Sequence, residues 1–261
     1  MKPLISLLTD FGVNDPFVGQ VKAAIFTICP DAEVIDITHE VDAFNVRMGA
    51  FLLASATPYF PENTIHVAVV DPGVGGQRRP IVIETRRARY VGPDNGLMIP
   101  AAEAEGIKHV YELTNRSMMR DTISPTFHGR DIFAPVAAHL ACGRPQKELG
   151  REIKDYVRFS FGEPKFDGRQ VTCEVVHCDK FGNVVTNIPR RLVTSLTPQL
   201  DVRAHTRRFR ARLVKTYSEL EGNNLGFLIG SHGFVELAYR ESSAARKLNL
   251  RPGDALRITM D

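Results

Sequence analysis

Five short segments of this 261-residue chain carry the side chains that could do chemistry. Each combines a carboxylate with a glycine, and glycine permits tight turns and a close approach of the backbone to a ligand. The segments are Thr-Asp-Phe-Gly at 9–12, Asp-Pro-Gly-Val-Gly at 71–75, Pro-Asp-Asn-Gly at 93–96, Phe-His-Gly-Arg-Asp at 127–131 and Asp-Lys-Phe-Gly-Asn at 179–183.

Asp71 is the most informative of these carboxylates. It directly follows the apolar run 65–70, which has the length and β-branched content of a buried strand. In open α/β sheets, ligands bind outside the carboxyl ends of such strands. We therefore predict a site at this turn, although an acidic residue in a glycine-rich turn is the structural alternative.

Residue types suited to catalysis lie near this turn and on another segment. Asp71 offers a carboxylate, Arg78 a cation and His128 an acid–base group. Each also has a structural interpretation, since Arg78 could pair with a surface carboxylate and His128 could be a hydrogen-bonded core histidine. Asp10 could cap a turn, and Asp131 lies where the dipole of a helix beginning near 132 favours an anion.

The segment at 179–183 is the densest motif of the second half. A β-turn with Gly182 at positive φ would explain it structurally. Alternatively, Asp179 and Asn183 are free to bind a zwitterion, the carboxylate accepting from an ammonium and the amide donating to a carboxylate.

The first half of the chain alternates strands and helices. Strands are predicted at 4–8, 33–37 and 65–70, with helices at 17–27 and 45–57. This alternation predicts an α/β fold with a doubly wound, mostly parallel sheet. The pattern then continues with strands at 80–85, 89–92 and 110–113 and an amphipathic helix at 132–142.

The second half contains short strand patterns separated by turn residues. They lie at 171–177, 184–188, 200–205, 209–217, 226–229, 233–239 and 255–260, with one helix at 242–248. These patterns predict a small antiparallel β-barrel domain. We place an N-terminal α/β domain at 1–158, a linker at 159–169 and the C-terminal domain at 170–261.

Composition limits the function classes. The chain is 43% hydrophobic and 24% charged with a net charge of +3, and it has no long apolar run or signal-peptide pattern. We therefore predict a cytoplasmic protein without membrane partners. We also predict no nucleic-acid partner, because the arginines of 203–215 alternate with other residues as on a solvated strand. Four scattered cysteines and no short-spaced ligand pair predict no metal site. We also expect no cofactor.

The five segments, in this order, resemble those of the SAM hydroxide adenosyltransferase family, which is related to the fluorinase and chlorinase. The fifth continues as Phe-Gly-Asn-Val-Val-Thr-Asn-Ile at 181–188. The resemblance implies an α/β domain followed by a β-barrel, and homotrimers with active sites between subunits. It also implies that water or hydroxide attacks the ribose C5′ of S-adenosyl-L-methionine and releases adenosine and L-methionine.

The same resemblance implies roles for individual residues. Asp71, Arg78 and His128 match the family's residues that surround the attacking water. Asp10 matches the carboxylate that binds the ribose diol, and Phe127 would line the adenosine pocket. The methionine end is matched by Asp179, Phe181, Asn183, Ser231, Glu236 and Tyr239.

Asp71 also bears on the choice between water and halide. The halogenases carry a Tyr-Pro-containing loop in place of 71–75, and an anionic side chain there would repel fluoride or chloride. We therefore expect hydrolysis. Two residues depart from the family pattern: Gly76 stands where threonine is expected, and His232 follows Ser231 where another residue is common.

Two other functions fit the same residues. The chain could bind S-adenosyl-L-methionine or adenosine as a sensor without turnover. It could also be a metal-dependent hydrolase with Asp10, Asp71, Asp94 and His128 as ligands.

Overall fold

A computed structural model describes residues 2–195 and 197–260, and the chain divides into two compact units, Met1–Ser160 and Phe161–Asp261. The predicted linker 159–169 spans this division. It contains a short strand, Lys165–Asp167, that pairs with the following strand of the second unit. No helix in the described ranges is long and apolar enough to cross a membrane.

The N-terminal unit is a seven-stranded mixed sheet with helices. Its strands are β1 Leu4–Thr9, β2 Glu33–Thr38, β3 Ile65–Val69, β4 Pro80–Thr85, β5 Arg89–Pro93, β6 Ile107–Leu113 and β7 Gly150–Glu152. Its helices are α1 Phe17–Ile28, α2 Val46–Ala56, α3 Ile99–Glu105 and α4 Ala134–Ala141.

The strand order is β2-β1-β3-β5-β4-β6-β7, and the first four strands run parallel. The other three pairs, β5 with β4, β4 with β6 and β6 with β7, are antiparallel. In the register of β1 and β3, Thr9 lies beside Val69. The segments that follow these two strands therefore leave the sheet at the same edge.

Local sequence explains where the helices begin and end. The Asn45 side chain accepts a hydrogen bond from the Met48 amide (3.0 Å), which caps α2, and Pro58 follows its end. Val21 and Ile25 of α1 are buried in a core shared with α4 and the sheet, as the apolar periodicity predicts.

The predicted helix 132–142 begins differently from the expectation. A π-helical turn, Gly129–Phe133, precedes α4. Pro135 has no amide hydrogen to donate to the carbonyl of Asp131, and that carbonyl instead accepts from the Arg120 amide (3.0 Å). Such wide turns recur at functional sites, and this one follows His128 directly.

The C-terminal unit is the predicted barrel. Its strands are β8 Lys165–Asp167, β9 Gln170–Cys178, β10 Val184–Pro189, β11 Gln199–Ala204, β12 Arg207–Leu213, β13 Leu225–Ile229, β14 Phe234–Ala238 and β15 Ala255–Met260. One helix, α5, spans Ala244–Leu248.

Seven of these strands close a ring in the order β10-β14-β13-β12-β11-β15-β9, because β9 also pairs with β10, and β8 lies outside β9. One pair differs from the antiparallel expectation. β12 and β13 are parallel, since the connection 214–224 carries the chain back before β13 begins. The barrel is therefore mixed.

Candidate active site

The N-terminal unit contains a cavity of about 600 Å³ at the edge where β1 and β3 end. Four predicted site residues line it: Asp10, Asp71, Phe127 and His128. Arg78 does not line the cavity but contacts both Asp71 and His128. The fold thus brings together all five residues predicted for this half of the site.

Asp71 and Arg78 form a buried ion pair. Arg78 Nε lies 3.0 Å from Asp71 Oδ1 and 2.9 Å from Oδ2, and Nη2 also donates to Oδ2. Their side chains are only 6% and 9% exposed. Gly75 shapes the turn between them: its φ is +74°, and a Cβ there would lie 2.3 Å from the Pro125 carbonyl oxygen. Asp71 is therefore fixed at the cavity wall.

The hydrogen bond to Arg78 determines the tautomer of His128. Arg78 Nη2 donates to His128 Nδ1 at 2.8 Å. A guanidinium has no acceptor, so Nδ1 is unprotonated and the neutral ring carries its hydrogen on Nε2. Burial, followed by the nearby Arg78 charge, lowers the pKa of His128 below 6.5. His128 is neutral at pH 7.

This geometry predicts the acid limit of activity. Protonation of His128 Nδ1 would break the bond from Arg78, so kcat/KM should stay level from pH 8 to 7. It should fall only below pH 6.5, because the pKa of His128 lies below this ordinary histidine value. In His128→Asn, the amide oxygen can replace Nδ1 as acceptor, so activity should begin to fall at a lower pH than in the wild-type chain. An acid limb at the same pH in both chains would contradict the assignment.

One nitrogen of Arg78 has an unused hydrogen-bonding capacity. Nη1 is buried and has no hydrogen-bond partner among residues 2–195 and 197–260. A buried donor without a partner is costly and is therefore a candidate contact for a ligand oxygen.

Asp10 is held by the segment that follows β2. Its Oδ2 accepts from the Phe44 amide at 2.9 Å. Thr9 Oγ1 lies 2.8 Å from His39 Nδ1, and the Gly12 amide donates to the His39 carbonyl at 2.8 Å. These bonds fix the turn 9–12 at the cavity.

Phe44 is a cavity residue that the sequence did not indicate. It lines the cavity, its side chain is 70% exposed, and its φ is +67°. A bulky residue in the left-handed region is rare and marks a constrained site. Residue types alone do not predict this position of Phe44, because its backbone angle depends on the hydrogen bond from the Phe44 amide to Asp10.

Three aromatic rings form the apolar part of the cavity. Phe127 contacts Phe11 and Phe17 edge to face, with centroids 5.5 and 5.3 Å away. Arg130 lies 5.1 Å from the centroid of the Phe127 ring. Such a surface suits a nucleobase, which binds through its π-face.

Asp131 supports this wall from behind. It is fully buried and accepts from Arg130 Nε (2.7 Å) and from the Ser124 amide (2.8 Å). Burial alone would raise the pKa of its carboxyl, but these bonds and the charge of Arg120 together lower it. Asp131 thus holds the segment 124–131 in addition to lying at a helix start.

The segment 93–96 does not reach the cavity. Asp94 pairs with Arg79 (2.8 Å) and accepts from the Val157 backbone amide (2.8 Å), while the side-chain amide of Asn95 donates to the Val70 carbonyl (2.8 Å). It therefore stabilises the end of β3. Among the described residues, no group of three or more His, Cys, Asp or Glu side chains is arranged to hold a metal.

The C-terminal unit contains a second cavity, of about 1110 Å³. All six residues predicted for the methionine end line it: Asp179, Phe181, Asn183, Ser231, Glu236 and Tyr239. The lining also includes Tyr217, His232 and Lys247, which the sequence had not assigned to the site. They lie on separate segments that only the closed barrel brings to one place.

Asp179 and Asn183 are not free, contrary to the expectation from the sequence. Asp179 Oδ1 accepts from the Asn183 amide (2.8 Å), and Oδ2 accepts from its side-chain amide (2.9 Å). Gly182 closes the turn with φ +84°, and a Cβ would lie 2.1 Å from Ser243 Oγ. Phe181, at the tip, is 80% exposed.

Two further contacts define this cavity. Glu236, which is buried, accepts from Tyr217 and lies 3.0 Å from His232 Nε2. Lys247 Nζ lies 4.2 Å from the centroid of the Tyr239 ring. Burial raises the pKa of the Tyr239 hydroxyl, so Tyr239 is a neutral aromatic wall.

The chain matches two family profiles. Residues 5–150 match the SAM hydroxide adenosyltransferase N-terminal domain, and residues 173–257 match the SAM hydroxide adenosyltransferase C-terminal domain. The chain belongs to the SAM hydroxide adenosyltransferase family. Both units described above therefore have counterparts in this family, in the same order.

Three known proteins resemble the chain over nearly its full length. It is 42% identical to an (R)-S-adenosyl-L-methionine hydrolase of Salinispora arenicola, with 98% of each chain covered. It is 27% identical to a fluorinase of Actinoplanes sp., over 98% of this chain and 97% of the fluorinase. The crystal structure of an uncharacterized conserved protein from Thermotoga maritima superposes with a TM-score of 0.93 at 39% identity, covering 98% of this chain and 99% of that one.

Proposed function

We propose that this chain hydrolyses S-adenosyl-L-methionine to adenosine and L-methionine. The observation that carries the proposal is the buried contact of Asp71, Arg78 and His128 at a nucleoside-sized cavity. Full-length relatives about 40% identical to the chain are named as hydrolases of this substrate.

The chemistry requires activation of water rather than of the leaving group. The oxygen of water or hydroxide bonds to C5′ while the C5′–S bond breaks, and sulfur keeps the electron pair as a neutral thioether. Free water has a pKa of about 15.7, so the positive charge of Arg78, held beside Asp71 and His128 at the cavity wall, lowers the barrier. Holding that oxygen in line with the C5′–S bond contributes further.

Asp71 is the better acceptor for the proton of that water. His128 Nδ1 is occupied by Arg78, and its Nε2 carries a hydrogen. Asp71 lines the cavity and has carboxylate lone pairs beyond those that Arg78 uses. We infer that Asp71 takes the proton, that Arg78 stabilises the developing charge, and that His128 orients Arg78.

The other predicted residues bind the two ends of the substrate in this proposal. Asp10 accepts from the ribose diol, and Phe127 and Phe44 contact the adenosine. The methionine half is held by Asp179, Phe181, Asn183, Ser231, Glu236 and Tyr239, all of which line the second cavity.

We also propose the assembly and the location. The nucleoside groups and the methionine groups lie in different units. A cytoplasmic homotrimer, in which a neighbouring copy supplies the methionine end, would complete each site. Co-expressed Asp71→Asn and Asp179→Asn chains should then regain part of the activity that each lacks alone. A monomer in light scattering would contradict this arrangement.

The test is product formation from each sulfonium epimer. We expect adenosine and L-methionine in equal amounts by liquid chromatography, faster from the (R) epimer for which the relatives are named. Asp71→Ala and His128→Ala are the controls, and added chloride should give no chlorinated nucleoside. Binding without product would indicate a sensor, and loss of activity with a chelator that a divalent metal restores would indicate a metallohydrolase.

A further inference from the structure

Two of the four cysteines lie at the C-terminal ends of two neighbouring helices. Cys29 directly follows α1, and Cys142 directly follows α4. The two helices pack against each other, and Ile25 of α1 shares one apolar core with Val136 of α4. This packing brings together two thiols that are far apart in the sequence.

The two cysteine side chains interact. Cys142 Sγ donates to the carbonyl oxygen of Ile28, the residue before Cys29, at 3.6 Å. Burial raises the pKa of the Cys29 thiol to about 11, and a hydrogen bond with the Cys142 side chain contributes to this shift. A disulfide requires an S–S distance of about 2.05 Å. Two thiols that already interact can reach this distance by a small movement of their side chains.

The two thiols differ in their access to solvent. Cys142 is exposed, whereas Cys29 is 3% exposed. An oxidant dissolved in water therefore reaches Cys142 first. Because of its raised pKa, Cys29 stays a protonated thiol at neutral pH and is a poor nucleophile alone. It can still react with an oxidised Cys142 beside it, since the contact makes that step intramolecular.

The two cysteines of the C-terminal unit do not form such a pair. Cys173 and Cys178 are five positions apart on the extended strand β9. At about 3.3 Å per residue their Cα atoms are about 16 Å apart, whereas a disulfide requires less than about 7 Å. Cys178 Sγ instead donates to the Leu250 carbonyl at 3.8 Å. Cys173 and Cys178 therefore provide internal controls for oxidation.

We propose that Cys29 and Cys142 are a redox-modification site, at which a reversible disulfide joins the end of α1 to the end of α4. Hydrogen peroxide is the oxidant. The Cys142 thiolate attacks the O–O bond and becomes a sulfenic acid, and the other oxygen leaves as water after protonation. Cys29 then attacks the Cys142 sulfur, the S–OH bond breaks and a second water leaves. The two thiols lose two electrons and two protons, and the peroxide is reduced to two waters.

The disulfide should act on stability rather than on the chemistry of the site. Neither cysteine lines the nucleoside cavity, whereas Phe17 and Gln20, near the other end of α1, do. The bond closes a loop from 29 to 142, which is most of the N-terminal unit. Long loops gain most from such a bond in the chain-entropy account. We expect the oxidised unit to unfold at a urea concentration about 1 M higher than the reduced unit.

The experiment oxidises the full chain with hydrogen peroxide and counts its thiols after denaturation. The wild-type chain should go from four titratable thiols to two. Mass spectrometry of an unreduced tryptic digest should show the peptides of Cys29 and Cys142 joined, with the loss of two hydrogens. Disulfides inside cells are usually transient, so dithiothreitol should restore all four thiols and return the urea midpoint to its reduced value.

Cys178→Ser is the matched control, because it removes a cysteine outside the pair. It should still lose two thiols on oxidation and show the same rise in the urea midpoint. Cys142→Ser should form no disulfide within the chain, and oxidation should not raise its midpoint. Cys29→Ser should behave like Cys142→Ser. Because Cys29 is buried and Cys142 is exposed, Cys142→Ser decides the question if Cys29→Ser does not fold.

Oxidation of Cys142 to a sulfinic acid while Cys29 remains a thiol would overturn the assignment. Cross-links between the Cys142 residues of two chains would overturn it as well, since Cys29 would not be the partner. A disulfide that forms without raising the urea midpoint would contradict the stabilising role. None of these measurements depends on turnover of S-adenosyl-L-methionine, so they test the cysteine pair whether or not the proposed function holds.

Discussion

Asp71→Asn is expected to lower kcat for S-adenosyl-L-methionine hydrolysis about a thousandfold. The asparagine keeps the size of the side chain and an oxygen for Arg78, but it cannot take a proton from water and leaves the guanidinium charge unbalanced. Because Asp10 and Phe127 still bind the nucleoside, KM should change less than threefold. Single-turnover release of adenosine measures the chemical step directly.

Asp15→Asn is the control for this prediction. It removes an exposed carboxylate from the loop that follows the segment 9–12, so activity should stay within twofold. If Asp71→Asn raised KM strongly and left kcat unchanged, Asp71 would be a substrate-binding residue rather than the proton acceptor.

Asp131→Asn is expected to destabilise the N-terminal unit by about 3 kcal/mol. The side chain is fully buried, and the substitution leaves Arg130 and Arg120 without the carboxylate that they share. The loss should appear as a lower midpoint in urea unfolding at pH 7. Activity should fall too, because the segment 124–131 forms one wall of the nucleoside cavity.

The pH dependence of the destabilisation by Asp131→Asn follows from the direction in which the pKa of Asp131 is shifted. The pKa of Asp131 is lower in the folded chain than its ordinary value of 3.8. A carboxyl with a depressed folded pKa stabilises the fold above its unfolded pKa and loses this contribution as pH falls through the folded value. The difference between wild type and Asp131→Asn should be constant at neutral pH and shrink below pH 4.

Asp121→Asn is the control for this second prediction, since that side chain is exposed on the neighbouring loop. It should change the free energy of unfolding by less than about 0.5 kcal/mol. A constant deficit of Asp131→Asn down to pH 2 would show that the carboxylate charge is not what stabilises the segment.

Periodicity predicted most elements because burial of one face determines them. The apolar spacing of α1 and the largely apolar run of β3, which His66 interrupts, each match a buried surface in the structure. The parallel pair β12 and β13 was missed, since strand patterns do not record the direction in which a neighbouring strand runs. The π-helical turn Gly129–Phe133 was missed because the pattern of residues 132–142 is also that of an ordinary helix.

The sequence predicted only those residues of the candidate site that carry a local signal. Asp10, Asp71 and His128 lie beside glycines after strands or before a helix, a local signal that sequence preserves. Phe44 and Tyr217 have no such signal, since their place depends on backbone angle and barrel closure. Asp94 carries the same local signal as Asp71, yet Arg79 and the Val157 amide hold it away from the cavity.

The sequence by itself determined the family, the two fold classes and the residue types available for catalysis, because five ordered motifs and the hydrophobic periods are local properties of the chain. Only the tertiary structure decided how those residues act. The proton position on His128 depends on a nitrogen of Arg78, fifty residues away. The contacts of Glu236 with Tyr217 and His232 depend on which side chains the closed barrel places beside it. Hydrogen-bond direction and charge balance are set by contacts between distant segments.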